Sequence, residues 1–160
     1  MKWIVAGVVM ALSACAGVPE DAHTLWLVRH AEKMAGDDPA LTEAGQARAV
    51  ALADRLEVEG VERVLSTDTR RTRDTAAPLA ERAGLEVELY DARDLAGLAE
   101  RLKRSGADAA VVGHSNTTPQ LAEALGCGPQ EPIVEADEYD RLYRIRVGEG
   151  VDCRIERYGE

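Results

Sequence analysis

Residues 25–33 (LWLVRHAEK) are the most informative stretch of this 160-residue chain. Residues 25–28 form a short apolar run that stops abruptly on Arg29 and His30. An apolar run of this length bounded by charge predicts a buried strand. In an open α/β sheet, ligands bind at the carboxyl ends of such strands. A permanent cation beside an imidazole at that point indicates an anion site, provided that partner residues come from elsewhere in the chain.

The overall composition predicts one globular domain. Apolar residues make up 46% of the chain and charged residues 30%, and 160 residues are enough for a single domain with a sizeable core. The formal net charge of −10 argues against nucleic acid as a partner. A phosphate site would have to be locally positive within this negative molecule, so clustered arginines are informative.

The first residues predict an export signal. Residues 1–14 combine Lys2 with an apolar run too short to span a bilayer, which predicts a signal peptide. The sequence LSAC at residues 12–15 resembles the lipobox of bacterial lipoproteins, which implies lipidation of Cys15. An ordinary signal peptide with a cysteine near its end is the alternative. The first interpretation predicts a lipid-anchored protein that faces the periplasm.

After this signal we expect a tether and then the folded domain. Residues 15–23 are the predicted tether, in which His23 would be solvated, and residues 24–160 are the domain. In an oxidising compartment, Cys127 and Cys153 could form a disulfide or remain two separate buried thiols.

The domain alternates strand and helix patterns. Single helices between strands predict a three-layer α/β/α fold with a mostly parallel central sheet, and the tail predicts an antiparallel hairpin. The predicted strands are 24–28, 62–65, 85–90 and 109–112, the helices 42–56, 70–83, 93–104 and 119–125, and the hairpin strands 139–147 and 151–158.

Three of these strands are followed by polar motifs. RHAEK begins at Arg29, RRTRDTA begins at Arg70, and VGHSNTTP begins at Val112. In this order the motifs resemble those of the histidine phosphatase superfamily, which is phosphoglycerate-mutase-like in fold. Only one strand and one helix are predicted between the second and third motifs. The chain therefore resembles the small members without a cap over the site, among them the phosphohistidine phosphatases.

This resemblance implies a role for each motif. His30 would be the nucleophile that becomes a phosphohistidine. Arg29 and Arg71 would hold the phosphoryl oxygens, with Arg71 chosen because it lies four residues before Thr75. His114 would stabilise charge on the transferring group. Such a cluster needs no metal and no cofactor.

Other residues have two open interpretations. Ser115 and Asn116 either bind phosphate or cap the next helix, and Lys33 either contacts substrate or faces water. Asp91 follows the predicted strand 85–90 and is the candidate general acid, or it forms the cap of the next helix with Asp94.

We therefore expect an exported, membrane-anchored phosphatase for phosphomonoesters or phosphohistidine, whose partner is a phosphorylated small molecule or phosphoprotein. A lipoprotein that binds phosphate or phosphoproteins with little turnover is the alternative. A phosphomutase ranks third, because an uncapped site does not shield its intermediate from water.

Overall fold

A computed structural model describes residues 22–159 of the chain. The predicted signal peptide and lipidated Cys15 lie outside the described residues.

Strands and helices alternate along the described chain. The strands are β1 (His23–Arg29), β2 (Arg63–Thr67), β3 (Val87–Tyr90), β4 (Ala109–Gly113), β5 (Arg141–Val147) and β6 (Val151–Arg157). The helices are α1 (Glu43–Leu56), α2 (Arg70–Ala83), α3 (Leu95–Ser105) and α4 (Thr117–Ala122); a 3₁₀ turn (Glu57–Glu59) follows α1 and a π-helical turn (Glu123–Cys127) follows α4.

The six strands form one sheet in the order β3-β2-β4-β1-β5-β6. Strands β1 to β4 run parallel, and β5 and β6 add an antiparallel pair beside β1. The predicted α/β class, with its mostly parallel sheet and C-terminal hairpin, is confirmed. Because β2, β4 and β1 are neighbours, their carboxyl ends open onto the same edge of the sheet.

Both faces of the sheet are covered. Leu25 and Leu27 of β1 pack in one apolar cluster with residues of α3 and α4, whereas Trp26 and Val28 pack in another with residues of α1 and α2. Successive side chains of a strand point to opposite faces, so one continuous apolar run supplies both cores. The helices thus form the two outer layers.

Polar side chains fix where two of the helices begin. Thr42 Oγ1 accepts a hydrogen bond from Gly45 N at 3.0 Å at the start of α1, and Asp94 Oδ1 accepts one from Gly97 N at 3.0 Å at the start of α3. Caps of this kind satisfy backbone N–H groups that have no partner within the helix. The cap at Asp94 explains why α3 begins at Leu95 rather than at the predicted residue 93.

The prediction that His23 is a solvated tether residue is wrong. His23 is the first residue of β1, pairs with Val147 of β5, and is only 4% exposed. Its Nε2–H donates to the carbonyl oxygen of Leu102 at 3.0 Å. Pairing with β5 therefore extends the strand one residue further than its apolar pattern indicates.

A disulfide joins Cys127, at the end of the π-helical turn, to Cys153 of β6, with 5.6 Å between the two Cα atoms. The disulfide closes a covalent loop over residues 127–153, which contains the segment before β5.

In residues 22–159, no helix is both long and apolar enough to cross a membrane.

Candidate active site

The three predicted motifs meet at the carboxyl ends of β1, β2 and β4. The backbone N–H of His30 donates to the carbonyl oxygen of Gly113 at 2.9 Å, so the end of β1 is held against the end of β4. Thr67, the last residue of β2, brings its hydroxyl oxygen to 3.0 Å from His114 Nε2. Segments far apart in sequence therefore supply one site.

A pocket of about 260 Å³ opens at this edge of the sheet. It is bordered by residues from all three motifs and from the loop before β5. The lining residues are His30, Lys33, Arg71, His114, Ser115, Asn116 and Glu135.

His30 is held as a neutral imidazole with one nitrogen available. Its Nδ1 lies 2.8 Å from the carbonyl oxygen of Ala31, and because a carbonyl only accepts, Nδ1 carries the proton. Burial, with smaller contributions from the cations Arg29 and Arg71, lowers the pKa of His30 to about 3. Near neutral pH, Nε2 therefore has a free lone pair.

His114 stands beside His30, with 5.6 Å between the ring centroids. Its Nδ1 is 3.4 Å from Arg71 Nη2; since guanidinium only donates, Nδ1 accepts and Nε2–H donates to Thr67 Oγ1. Burial, then the charges of Arg71 and Arg29, lower the pKa of His114 to about 4. Both imidazoles are thus neutral when the pocket holds no anion.

Arg71 is fixed by the first turn of α2. The hydroxyl of Thr75 donates to the carbonyl oxygen of Arg71 at 2.7 Å and accepts from the backbone N–H of Ala31 at 3.0 Å. One buried threonine therefore couples the arginine's helix to the residue after His30. Arg71 lines the pocket, whereas Arg70 is 59% exposed and pairs with Asp74. The choice of Arg71 over Arg70 agrees with this arrangement.

Arg29 is close to the site but does not line the pocket. It is 1% exposed, and its guanidinium donates to the carbonyl oxygens of Glu135 at 2.8 Å, Glu138 at 3.1 Å and Val134 at 3.4 Å. Arg29 Nε has no hydrogen-bond partner among residues 22–159. Direct contact between Arg29 and a phosphoryl group therefore stays a prediction; in this structure the arginine holds the loop before β5.

The structure does not bring Asp91 into the pocket, which argues against its predicted role as general acid. Asp91 follows β3 at the sheet edge, and its half-exposed carboxylate pairs with Arg93 at 2.9 Å. Hydrogen bonds from the Arg93 side chain and backbone lower the pKa of Asp91 to about 2. A carboxyl group that is ionised over the whole working range is a poor proton donor. The alternative, a structural turn before α3, fits these contacts.

Three residues with open interpretations do border the pocket. They are Lys33, Ser115 and Asn116. Asn116 occupies the position before α4 but makes no side-chain capping bond; instead Thr117 Oγ1 accepts from the backbone N–H of His114 at 3.0 Å. The side chains of Ser115 and Asn116 are thereby available to a ligand.

Sequence reasoning did not identify two residues at the site. Glu135 lines the pocket, and the ring of Tyr139 lies 6.4 Å from His30 and 4.1 Å from the guanidinium carbon of Arg29, measured to the ring centroid. Glu135 belongs to the acidic segment before β5, which has no strand or helix periodicity, and Tyr139 is the first residue of the predicted hairpin strand 139–147. They lie near His30 because the segment before β5 packs against Arg29 at the end of β1.

In residues 22–159, no three His, Cys, Asp or Glu side chains cluster in a way that would hold a metal ion. Arg71 and Lys33 are cationic side chains that line the pocket, and Arg29 binds the carbonyl oxygen of Glu135, another lining residue.

Residues 25–93 match the family model of the histidine phosphatase superfamily, branch 1. The matched range contains His30 and Arg71 and ends before His114. Comparison with curated proteins finds no match.

Solved structures of phosphatases share the fold. A mycobacterial glucosyl-3-phosphoglycerate phosphatase, solved with VO3, is 19% identical, with a TM-score of 0.67 over 85% of this chain and 98% of its own. The protein histidine phosphatase SixA, solved with tungstate, is 18% identical, with a TM-score of 0.65 over 84% of this chain and 95% of its own. At these identities the likeness establishes a histidine phosphatase fold.

Proposed function

We propose that this chain is a phosphatase of the histidine phosphatase superfamily that works through a phosphohistidine at His30. The observation that carries this proposal is the tautomer of His30. Its Nδ1–H is fixed on the Ala31 carbonyl, so the lone pair of Nε2 is free while its pKa of about 3 keeps the ring neutral. A neutral imidazole nitrogen is a competent nucleophile toward phosphorus.

In the first step, Nε2 of His30 bonds to phosphorus and the bond to the leaving oxygen breaks. In the second step, water attacks the phosphorus, the P–N bond breaks, and His30 returns to its neutral form. Splitting hydrolysis in this way replaces one difficult displacement with two easier ones.

The cations at the site would stabilise charge on the phosphoryl oxygens. Arg71 and Lys33 line the same pocket as His30. When a phosphoryl group enters, Arg71 can exchange its weak contact with His114, 3.4 Å long, for a charge-assisted bond to the anion. His114, then beside negative charge, takes up a proton more readily and donates to the phosphoryl group. These groups suffice for positioning and charge stabilisation, so we propose a metal-independent reaction.

We propose that the substrates are phosphomonoesters or phosphohistidine, on a small molecule or a phosphoprotein. Only β3 and α3 lie between the second and third motifs along the chain, which leaves no inserted cap over the pocket. The phosphatases of similar fold are named for glucosyl-3-phosphoglycerate and for protein histidine. An uncapped pocket is accessible to a phosphorylated side chain on another protein.

We also propose that the protein is exported and anchored to a bacterial membrane through acylated Cys15, facing the periplasm. The lipobox-like LSAC sequence supports the anchor. The Cys127–Cys153 disulfide supports an oxidising compartment, where such bonds persist.

A phosphate- or phosphoprotein-binding lipoprotein with little turnover is the second candidate. One observation favours it: Asp91, the predicted acid, is ionised and paired with Arg93 away from the pocket. A phosphomutase ranks below both because the site is uncapped.

The test is to trap the intermediate. The full chain in detergent and EDTA would be mixed with p-nitrophenyl phosphate, quenched in alkali, and analysed for phosphohistidine on the peptide that carries His30. We expect turnover with a phosphorylated His30 peptide. Binding of phosphate without turnover would favour the second candidate, and activity that EDTA abolishes would contradict a metal-independent reaction.

A further inference from the structure

The loop between the π-helical turn and β5 forms one wall of the pocket. Ile133 anchors it in the core beside α3 and α4, being only 6% exposed. Two residues further on, the exposed residue Glu135 lines the same pocket as His30 and His114. Within the described part of the chain, Glu135 is the single acidic residue among those lining this pocket.

The backbone at Glu135 is held in place by the arginine that precedes the nucleophile. Arg29 donates to the carbonyl oxygen of Glu135 at 2.8 Å and to that of Glu138 at 3.1 Å, and it stacks on the ring of Tyr139. The loop also closes on itself, because Glu138 Oε2 accepts from the backbone N–H of Val134 at 2.9 Å. These contacts therefore hold the loop in a fixed position relative to His30.

The other carboxylates near the site already have partners. Glu32 accepts from Arg48 at 2.8 Å, Asp38 caps the backbone N–H of Arg70 at 2.8 Å, and Glu138 pairs with Arg141 at 2.7 Å. The carboxylate of Glu135, by contrast, makes no hydrogen bond or ion pair within residues 22–159. A carboxylate that is hydrogen-bonded or ion-paired within the protein stabilises the fold. A carboxylate without such partners at a pocket can exchange a proton with a ligand.

We propose that Glu135 is the general acid that protonates the leaving group, an assignment that rests on the proposed phosphatase function. As Nε2 of His30 bonds to phosphorus, the P–O bond to the leaving group breaks and the Glu135 carboxyl gives its proton to the departing oxygen. In the second step the Glu135 carboxylate takes a proton from the attacking water while the P–N bond breaks. The carboxyl proton is thus restored after each turnover.

This role predicts a dependence on the leaving group. An alkoxide leaves slowly unless it is protonated, whereas p-nitrophenolate leaves readily without a proton. In Glu135→Gln we expect kcat/KM for glycerol 2-phosphate to fall by about 10²–10⁴-fold, the usual contribution of general acid catalysis. The value for p-nitrophenyl phosphate, which reports the transfer to His30, should stay within a factor of about three.

The second step gives an independent signature. Because the variant lacks the base that activates water, p-nitrophenyl phosphate should produce a burst of nitrophenol followed by slow turnover, with phospho-His30 accumulating. A residue that only stabilises the loop would not separate the two steps in this way.

Glu131→Gln is the matched control. Glu131 is exposed in the same loop, and only its carbonyl oxygen is used, as acceptor from Arg141 at 2.7 Å. We expect it to match the wild type on both esters. Equal losses on the two esters in Glu135→Gln, or unchanged hydrolysis of glycerol 2-phosphate, would overturn the assignment. A wild-type chain that turns over neither ester would overturn the proposed function as well.

Discussion

Two buried histidines stand at opposite ends of β1, in very different surroundings. His23, at the amino end, is 4% exposed and donates to the carbonyl oxygen of Leu102 in α3. His30, just past the carboxyl end, is 3% exposed and faces His114 and Arg71, which follow β4 and β2. Strands β4 and β2, which lie on one side of β1, run parallel to it. The polar motifs that follow these three strands therefore all lie at the carboxyl end of the sheet. The two histidines are equally buried, so burial alone does not distinguish them; the proposed reactivity of His30 rests on the groups that neighbouring strands place around it.

The largest expected effect separates these two histidines. His30→Gln should reduce kcat/KM on p-nitrophenyl phosphate to below roughly 10⁻⁴ of the wild type and abolish the phosphoenzyme, because the proposed nucleophile is lost. His23→Gln keeps a side-chain N–H that can reach Leu102, so we expect activity within a factor of about two and a loss of up to about 1 kcal/mol in unfolding free energy. Steady-state kinetics and urea unfolding measure both. Similar losses of activity in the two variants would remove the distinction between the two ends of β1.

Two arginines at the carboxyl end of the sheet also differ in their surroundings. Arg70 and Arg71 are adjacent, yet Arg71 lines the pocket and Arg70 is exposed beside Asp74. Arg71→Gln should lower kcat by about 10²–10³-fold, as expected when one preorganised donor to developing charge is removed. Arg70→Gln should leave kcat nearly unchanged, since an exposed ion pair contributes little. If Arg70→Gln produced the larger loss in steady-state assays, the register of the second motif would be wrong.

The sequence was sufficient to predict the carboxyl end of the sheet because local patterns determine it. Apolar runs that stop on polar motifs predicted β1, β2 and β4, and α2 begins and ends at the predicted residues Arg70 and Ala83. The spacing to Thr75 selected Arg71, which lines the pocket, among three nearby arginines, and that threonine couples α2 to the backbone after His30.

The rest of the site could not be predicted because it depends on long-range packing. Glu135 lies in a segment without periodicity and Tyr139 at the start of a predicted strand; Arg29 holds both near the site by donating to the Glu135 carbonyl and stacking on the Tyr139 ring. Asp91 occupies the expected position after β3, but its neighbour Arg93 binds the carboxylate outside the pocket. His23 extends β1 because it pairs with β5, a partner more than a hundred residues away.

The smallest expected effect is a dependence of stability on pH that originates at the carboxyl end. The folded pKa values of His30 and His114 are about 3 and about 4, below the ordinary value of 6.5. Between those values and 6.5 the unfolded chain binds more protons than the folded one. The free energy of unfolding therefore falls as pH drops through this window, by up to roughly 1.4 kcal/mol per pH unit for each histidine.

Urea unfolding at pH 7, 5.5 and 4.5 would measure this contribution as a difference between two chains. In the double variant His30→Gln, His114→Gln, the fall in unfolding free energy between pH 7 and 4.5 should be smaller than in the wild type, because neither glutamine takes up a proton. The His23→Gln variant serves as the control for loss of a buried imidazole at the other end of β1. Identical pH dependence in the wild type and the double variant would mean that the two imidazoles are not held neutral by the fold. The free lone pair on His30 Nε2 would then need another cause.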